Sequence, residues 1–91
     1  MRKKTAILII SGNSDQTGLA VGSTIVGSGE MGRVEMKISS FKHHVQFSDK
    51  PFVLEVKTLE STWFDDEHPI TSISYNHYRN SVDVSTCTFT S

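Results

Sequence analysis

Apolar residues in this chain recur at every second position, with no sustained 3.6-residue period, and turn-forming residues break the pattern at short intervals. A period of two is the signature of a strand with one buried face, because successive side chains point to opposite sides of a pleated backbone. The spacing therefore predicts an all-β fold, a small antiparallel barrel or sandwich of roughly five to seven strands. The alternative is an α+β arrangement with one short helix near residues 61–68, where Thr62 followed by Asp65 resembles a helix cap.

The clearest strand is Arg33–Phe41: Val34, Met36 and Ile38 share one face, while Arg33, Glu35 and Lys37 share the other. Phe52–Glu60 alternates in the same way, with Phe52, Leu54, Val56 and Thr58 together. Thr5–Ser11 contains the unbroken run Ala6–Ile10, which predicts a central strand buried on both faces. In Leu19–Gly27, Leu19, Val21 and Ile25 share a face, and Gly22 predicts a bend or a large side chain lying across the backbone. Ile70–Tyr78 and Ser81–Thr90 read as a hairpin turning at Arg79-Asn80, with Tyr75 opposite Val84 and His77 opposite Val82. Within the last strand the apolar phase switches between Val84 and Cys87, which predicts a β-bulge at Ser85-Thr86.

These elements make one domain over residues 1–91. Only 36% of the residues are hydrophobic, so the core is thin. Such small domains often gain stability from a second copy, and open sheet edges favour pairing, so a homo-oligomer is expected.

Several function classes lose support at this level. One cysteine, Cys87, excludes an internal disulfide and any Cys-x-x-Cys zinc site. A net charge of −1 lacks the basic surplus that neutralises phosphates, which makes nucleic acid an unfavoured partner. There is no Gly-Lys-Ser/Thr phosphate loop and no apolar run long enough for a membrane helix. Met1-Arg2-Lys3-Lys4 looks like the start of an export signal, but the apolar run behind it is only Ala6–Ile10, short of the roughly 7–15 residues such a signal needs. The expected compartment is the cytoplasm.

Three groups of residues merit testing. Asp65, Asp66, Glu67 and His68 form an acidic loop that could hold a divalent cation or perform acid–base chemistry, although calcium loops use alternate positions and a glycine that this segment lacks. Trp63 and Phe64 are expected to anchor that loop in the core. Lys42, His43, Phe47 and Lys50 mix basic and aromatic side chains, as a small-ligand or single-stranded nucleic-acid face would. Tyr75, His77, Tyr78, Arg79 and Asn80 gather Tyr and Arg at a hairpin tip, and these types are enriched where proteins bind one another. Cys87 and His77 fall too far apart on the hairpin to act as a nucleophile–base pair.

No cofactor is implied, and no grouping spells out a reaction. The expectation is a small non-enzymatic accessory protein acting by protein–protein interaction, such as an inhibitor, an immunity factor or an assembly subunit.

Overall fold

The computed structural model describes residues 4–10, 14–15, 19–42, 47–48, 51–59, 63–75 and 80–90. Eight strands occur among them: β1 (Thr5–Ile10), β2 (Ser14–Asp15), β3 (Thr24–Gly29), β4 (Gly32–Lys42), β5 (Phe47–Ser48), β6 (Phe52–Thr58), β7 (Ser72–Tyr75) and β8 (Asn80–Thr90). Six close into an antiparallel barrel in the order β1-β6-β4-β3-β7-β8, and β2 pairs with β5 as a small separate ribbon. The β3-β4-β6 meander with β1 returning beside β6 is a Greek-key arrangement. The all-β expectation holds, and the choice between barrel and sandwich falls to the barrel.

In the barrel every strand has neighbours on both sides, so of the two grounds for a homo-oligomer the thin core applies to the barrel and open edges are left only to the β2–β5 ribbon among the described residues. No helix occurs among the described residues, so none is long and apolar enough to cross a membrane. Residues 61 and 62 lie outside the described set, and Trp63–His68 is irregular, not helical.

β1 lies between β6 and β8, but in a closed barrel every strand has two neighbours and none is central, so its apolar run does not mark a special place in the sheet. It is not buried on both faces. Ala6, Leu8 and Ile10 point into the core, whereas Ile9 faces outward and is 36% exposed. A closed single-layer barrel has no second layer to cover its outside.

β8 needs its bulge to line the core. Ile9 pairs with Thr86 and Ile10 with Val84, so the register shifts by one residue at Ser85. The extra residue lets Val82, Val84, Cys87 and Phe89 all pack against the core. A second irregularity lies at Ser39, between the pairs Ile38–Val56 and Ser40–Glu55, where Ser39 Oγ donates to the Glu55 carbonyl at 3.1 Å. Beyond it β4 runs on to Lys42.

The last hairpin is registered differently from the sequence reading. Tyr75 pairs with Asn80 and Ile73 with Val82, which leaves residues 76–79 as the connection. The expected pair Tyr75–Val84 does not form, and His77, expected opposite Val82, lies outside the described residues. Both registers keep the same side chains inward, because they differ by an even number of residues, and alternation alone cannot separate them. Val84 instead pairs with Ile10 and donates its N–H to the Thr71 carbonyl at 2.9 Å.

Gly22 is a turn residue and does not lie within a strand. The Ser23 N–H donates to the Ala20 carbonyl at 2.9 Å, and Gly22 takes φ 92° at the corner. Val21 is therefore thrown outward, 65% exposed, and does not join Leu19 and Ile25 in the core. The strand glycines that other groups lie across are Gly27 and Gly29. A Cβ at Gly27 would sit 2.9 Å from Met36 Cε, and one at Gly29 only 2.6 Å from the Pro69 carbonyl oxygen and 2.9 Å from Phe64 Cε1.

β6 follows its pattern throughout: Phe52, Leu54, Val56 and Thr58 are all buried. Thr58 is the polar member, and Lys4 satisfies it. The Lys4 N–H donates to Thr58 Oγ1 at 3.1 Å, and Oγ1 donates in turn to the Lys4 carbonyl at 3.2 Å.

The antiparallel register sorts the connections by end. β1, β4 and β7 run toward what we call the upper end, and β3, β6 and β8 run toward the lower end. Ile10, Lys42 and Tyr75 end their strands at the upper end. Gly29, Thr58 and Thr90 end theirs at the lower one, where the Glu30-Met31 turn and residues 63–71 also lie.

Candidate functional site

The lower end is closed by the loop from Trp63 to Ile70. Phe64 and Ile70 are its two buried anchors, 2% and 1% exposed. Phe64 reaches Gly29, where the absence of a side chain lets the loop approach the β3 backbone. Between the anchors the chain arches out, and Asp65 shapes the arch. Its Oδ1 accepts from the backbone N–H of Glu67 at 2.9 Å and of His68 at 2.8 Å, and lies 3.1 Å from His68 Nδ1. Asp65 N–H and His68 carbonyl close the same turn at 3.2 Å. These bonds explain why no helix forms over 63–68: the Asp side chain takes up the backbone donors locally. They also hold the Asp65 carboxyl below its ordinary pKa, first through the His68 N–H and then through the imidazole and the Glu67 N–H, against some desolvation.

The loop also completes the barrel wall. β8 outruns β7, which pairs with it only as far as Asp83. Beyond that point the loop supplies the partners. The Thr71 carbonyl accepts from Val84 N–H, and Asp66 Oδ1 accepts from Phe89 N–H at 3.1 Å. Between these bonds the half-buried Cys87 thiol is pushed up by burial, while the Ile70 backbone works the other way. Half-buried and packed against the core, Cys87 serves the packing of the lower end.

An open hollow of about 220 Å³ lies where the loop meets the barrel, lined by Lys4, Asp65, Asp66, Phe89 and Thr90. The Lys4 ammonium sits over the Phe89 ring, 5.9 Å from its centroid. Trp63, at the entrance to the loop, is 77% exposed. The expectation that Trp63 and Phe64 would both anchor the core is thus half wrong. Neighbouring residues in extended backbone point to opposite sides, which was reason enough to expect one of the two outside. Met31, 42% exposed, caps the turn at the same end.

The acidic group does not make a metal centre. Among the described residues no group of three or more His, Cys, Asp or Glu side chains could hold a metal ion, Asp65, Asp66, Glu67 and His68 included.

Of the proposed binding tip, Tyr75 is removed: it is 3% exposed and belongs to the core cluster. Asn80 is half-buried at the start of β8, and His77, Tyr78 and Arg79 lie outside the described residues. Of the basic–aromatic face, Lys42 is exposed at the end of β4 and Phe47 is placed through the β2–β5 ribbon, while His43 and Lys50 lie outside the described residues. Phe52 is fully buried and stacks on Phe41 with ring centroids 5.5 Å apart, so those two aromatics serve the core. No protein-family model, curated protein or solved structure matches this chain.

Proposed function

We propose that this chain is a small non-enzymatic domain that works by binding another protein, with the lower end of the barrel as its contact surface. The exposure of Trp63 carries this reading. A tryptophan loses much free energy when left in water, and exposed aromatic side chains are over-represented among the residues that dominate protein–protein affinity. Here the side chain stands at 77% exposure on a loop tied down by Asp65, Asp66, Phe64 and Ile70. A rigid support under an exposed aromatic lowers the entropy lost on binding. We keep an accessory role, as inhibitor, immunity factor or assembly subunit, and the cytoplasm as its compartment, the latter on the sequence ground of a single cysteine. The partner in this reading is a different chain.

The test is a photo-reactive phenylalanine analogue at position 63, irradiated in the cell of origin and read by mass spectrometry, with position 37 on the outer barrel wall as the control. Adducts to one protein from position 63 alone support the reading. Equal labelling from both positions, or none, overturns it.

A second reading rests on Lys42, exposed where β4 ends at the upper end, with His43, Phe47 and Lys50 following it in sequence as a small-ligand or single-stranded nucleic-acid face. Fluorescence anisotropy with single-stranded DNA and RNA at low salt tests it, and an absence of salt-sensitive binding eliminates it.

A further inference from the structure

The lower-end hollow already holds a cation supplied by the chain itself. Lys4 Nζ lies over the face of Phe89, and Asp65 and Asp66 line the same hollow. A positive charge over an aromatic face beside carboxylates is the arrangement by which proteins recognise guanidinium and ammonium groups. Among the described residues of this end, Glu30, Asp65, Asp66 and Glu67 outnumber the cations Lys4, Arg33 and Lys57, and the loop stretch 63–71 that forms the hollow contains no Lys or Arg.

We propose that this hollow is the docking site for an arginine-bearing segment of the partner protein. The Phe89 ring receives the guanidinium face, the Asp65 and Asp66 carboxylates supply the opposing charge, and exposed Trp63, two residues along the loop, packs against the flanking part of the segment. Lys4 occupies the hollow in the free protein and gives way when the segment binds. The proposal rests on the reading that the lower end is the contact surface, and it adds the chemistry of what is contacted.

Trp63 is the chain's single tryptophan, so its fluorescence reports on this end alone. The probe is an octa-arginine peptide titrated at low salt, with octa-glutamate as the control. The expected result is a saturable change in Trp63 emission with octa-arginine only. Phe89→Leu keeps an apolar side chain against the core but removes the ring, and should weaken binding about two- to fivefold. Lys4→Ala leaves the backbone bonds to Thr58 possible and vacates the hollow, and should tighten binding by a similar factor. Asp65→Asn should weaken it by up to about fivefold. Circular dichroism and thermal melts confirm that each variant is folded.

Absence of a response to octa-arginine overturns the proposal. So does binding that Phe89→Leu and Lys4→Ala leave unchanged, since that would be diffuse attraction to an acidic surface. The peptide titration decides this proposal alone, and the position-63 crosslink decides the interaction reading alone. A partner captured at position 63 that octa-arginine does not compete away leaves the interaction reading standing and removes this one.

Discussion

The Asp66 carboxylate accepts the backbone N–H of Phe89 at 3.1 Å, joining the acidic loop to a strand 23 residues further along the chain. A side chain here does what a neighbouring strand does elsewhere: it satisfies a donor on the part of β8 that β7 does not reach. The bond stitches the lower end shut and gives the hollow beside it a fixed wall.

Replacing Asp66 with Ala should therefore destabilise the fold, by about 0.5–1.5 kcal/mol for a solvent-accessible hydrogen bond. For a domain of this size that corresponds to a fall in Tm of a few degrees. Urea unfolding of the variant measures it. Hydrogen exchange should speed up at Phe89 while amides in β4 stay protected, and uniform loss of protection would contradict a local latch.

Gly29→Ala and Gly22→Ala should differ for separate reasons. At Gly29 the new methyl meets the Pro69 carbonyl at 2.6 Å and the Phe64 ring at 2.9 Å, so the loop must move, at about 1–3 kcal/mol. At Gly22 there is open space, and the cost is only that of placing an alanine at φ 92°, about 1–2 kcal/mol. Trp63 emission separates them. It should change in the Gly29 variant, where the loop shifts, and stay the same in the Gly22 variant.

Asp65 predicts a pH dependence of fixed sign. Its folded pKa lies below the ordinary 3.8, so the native state binds its proton less readily than the unfolded chain does. The stabilisation is complete above the ordinary value and is lost as pH falls through the lower, folded value. Melting temperatures from pH 6 down to pH 2 should show the wild type losing more stability below about pH 4 than Asp65→Asn, which has no proton to take up. Parallel curves for the two proteins would count against this role.

Deleting Ser85 should be far more damaging than any substitution there. Without the extra residue, either Val82 and Val84 or Cys87 and Phe89 must turn to solvent, because a one-residue slip in a strand exchanges its faces. Ser85→Ala keeps the count and should fold. A deletion variant with native circular dichroism and native melting would refute the bulge as the device that closes the barrel.

The sequence by itself determined the local geometry. Alternation assigned the inward faces of β4 and β6 residue by residue, and the phase change between Val84 and Cys87 located the bulge. These features are set by the pleat, which acts over neighbouring residues and is visible in any short window. The tertiary structure decided everything that depends on which strands meet. Closure into a barrel exposed the outer side of β1 that an apolar run had placed indoors, because a single layer has no covering. The register of β7 on β8 set which residues of β8 stand opposite Ile73 and Tyr75, a choice that even-numbered shifts hide from alternation. The candidate site was legible only in its parts: Asp65, Asp66 and Trp63 stand close together in sequence, but Lys4 and Phe89 come to them from the two ends of the chain. Only antiparallel pairing of β1 with β8 at the lower end of the barrel brings those two beside each other, through contacts that no local window of sequence contains.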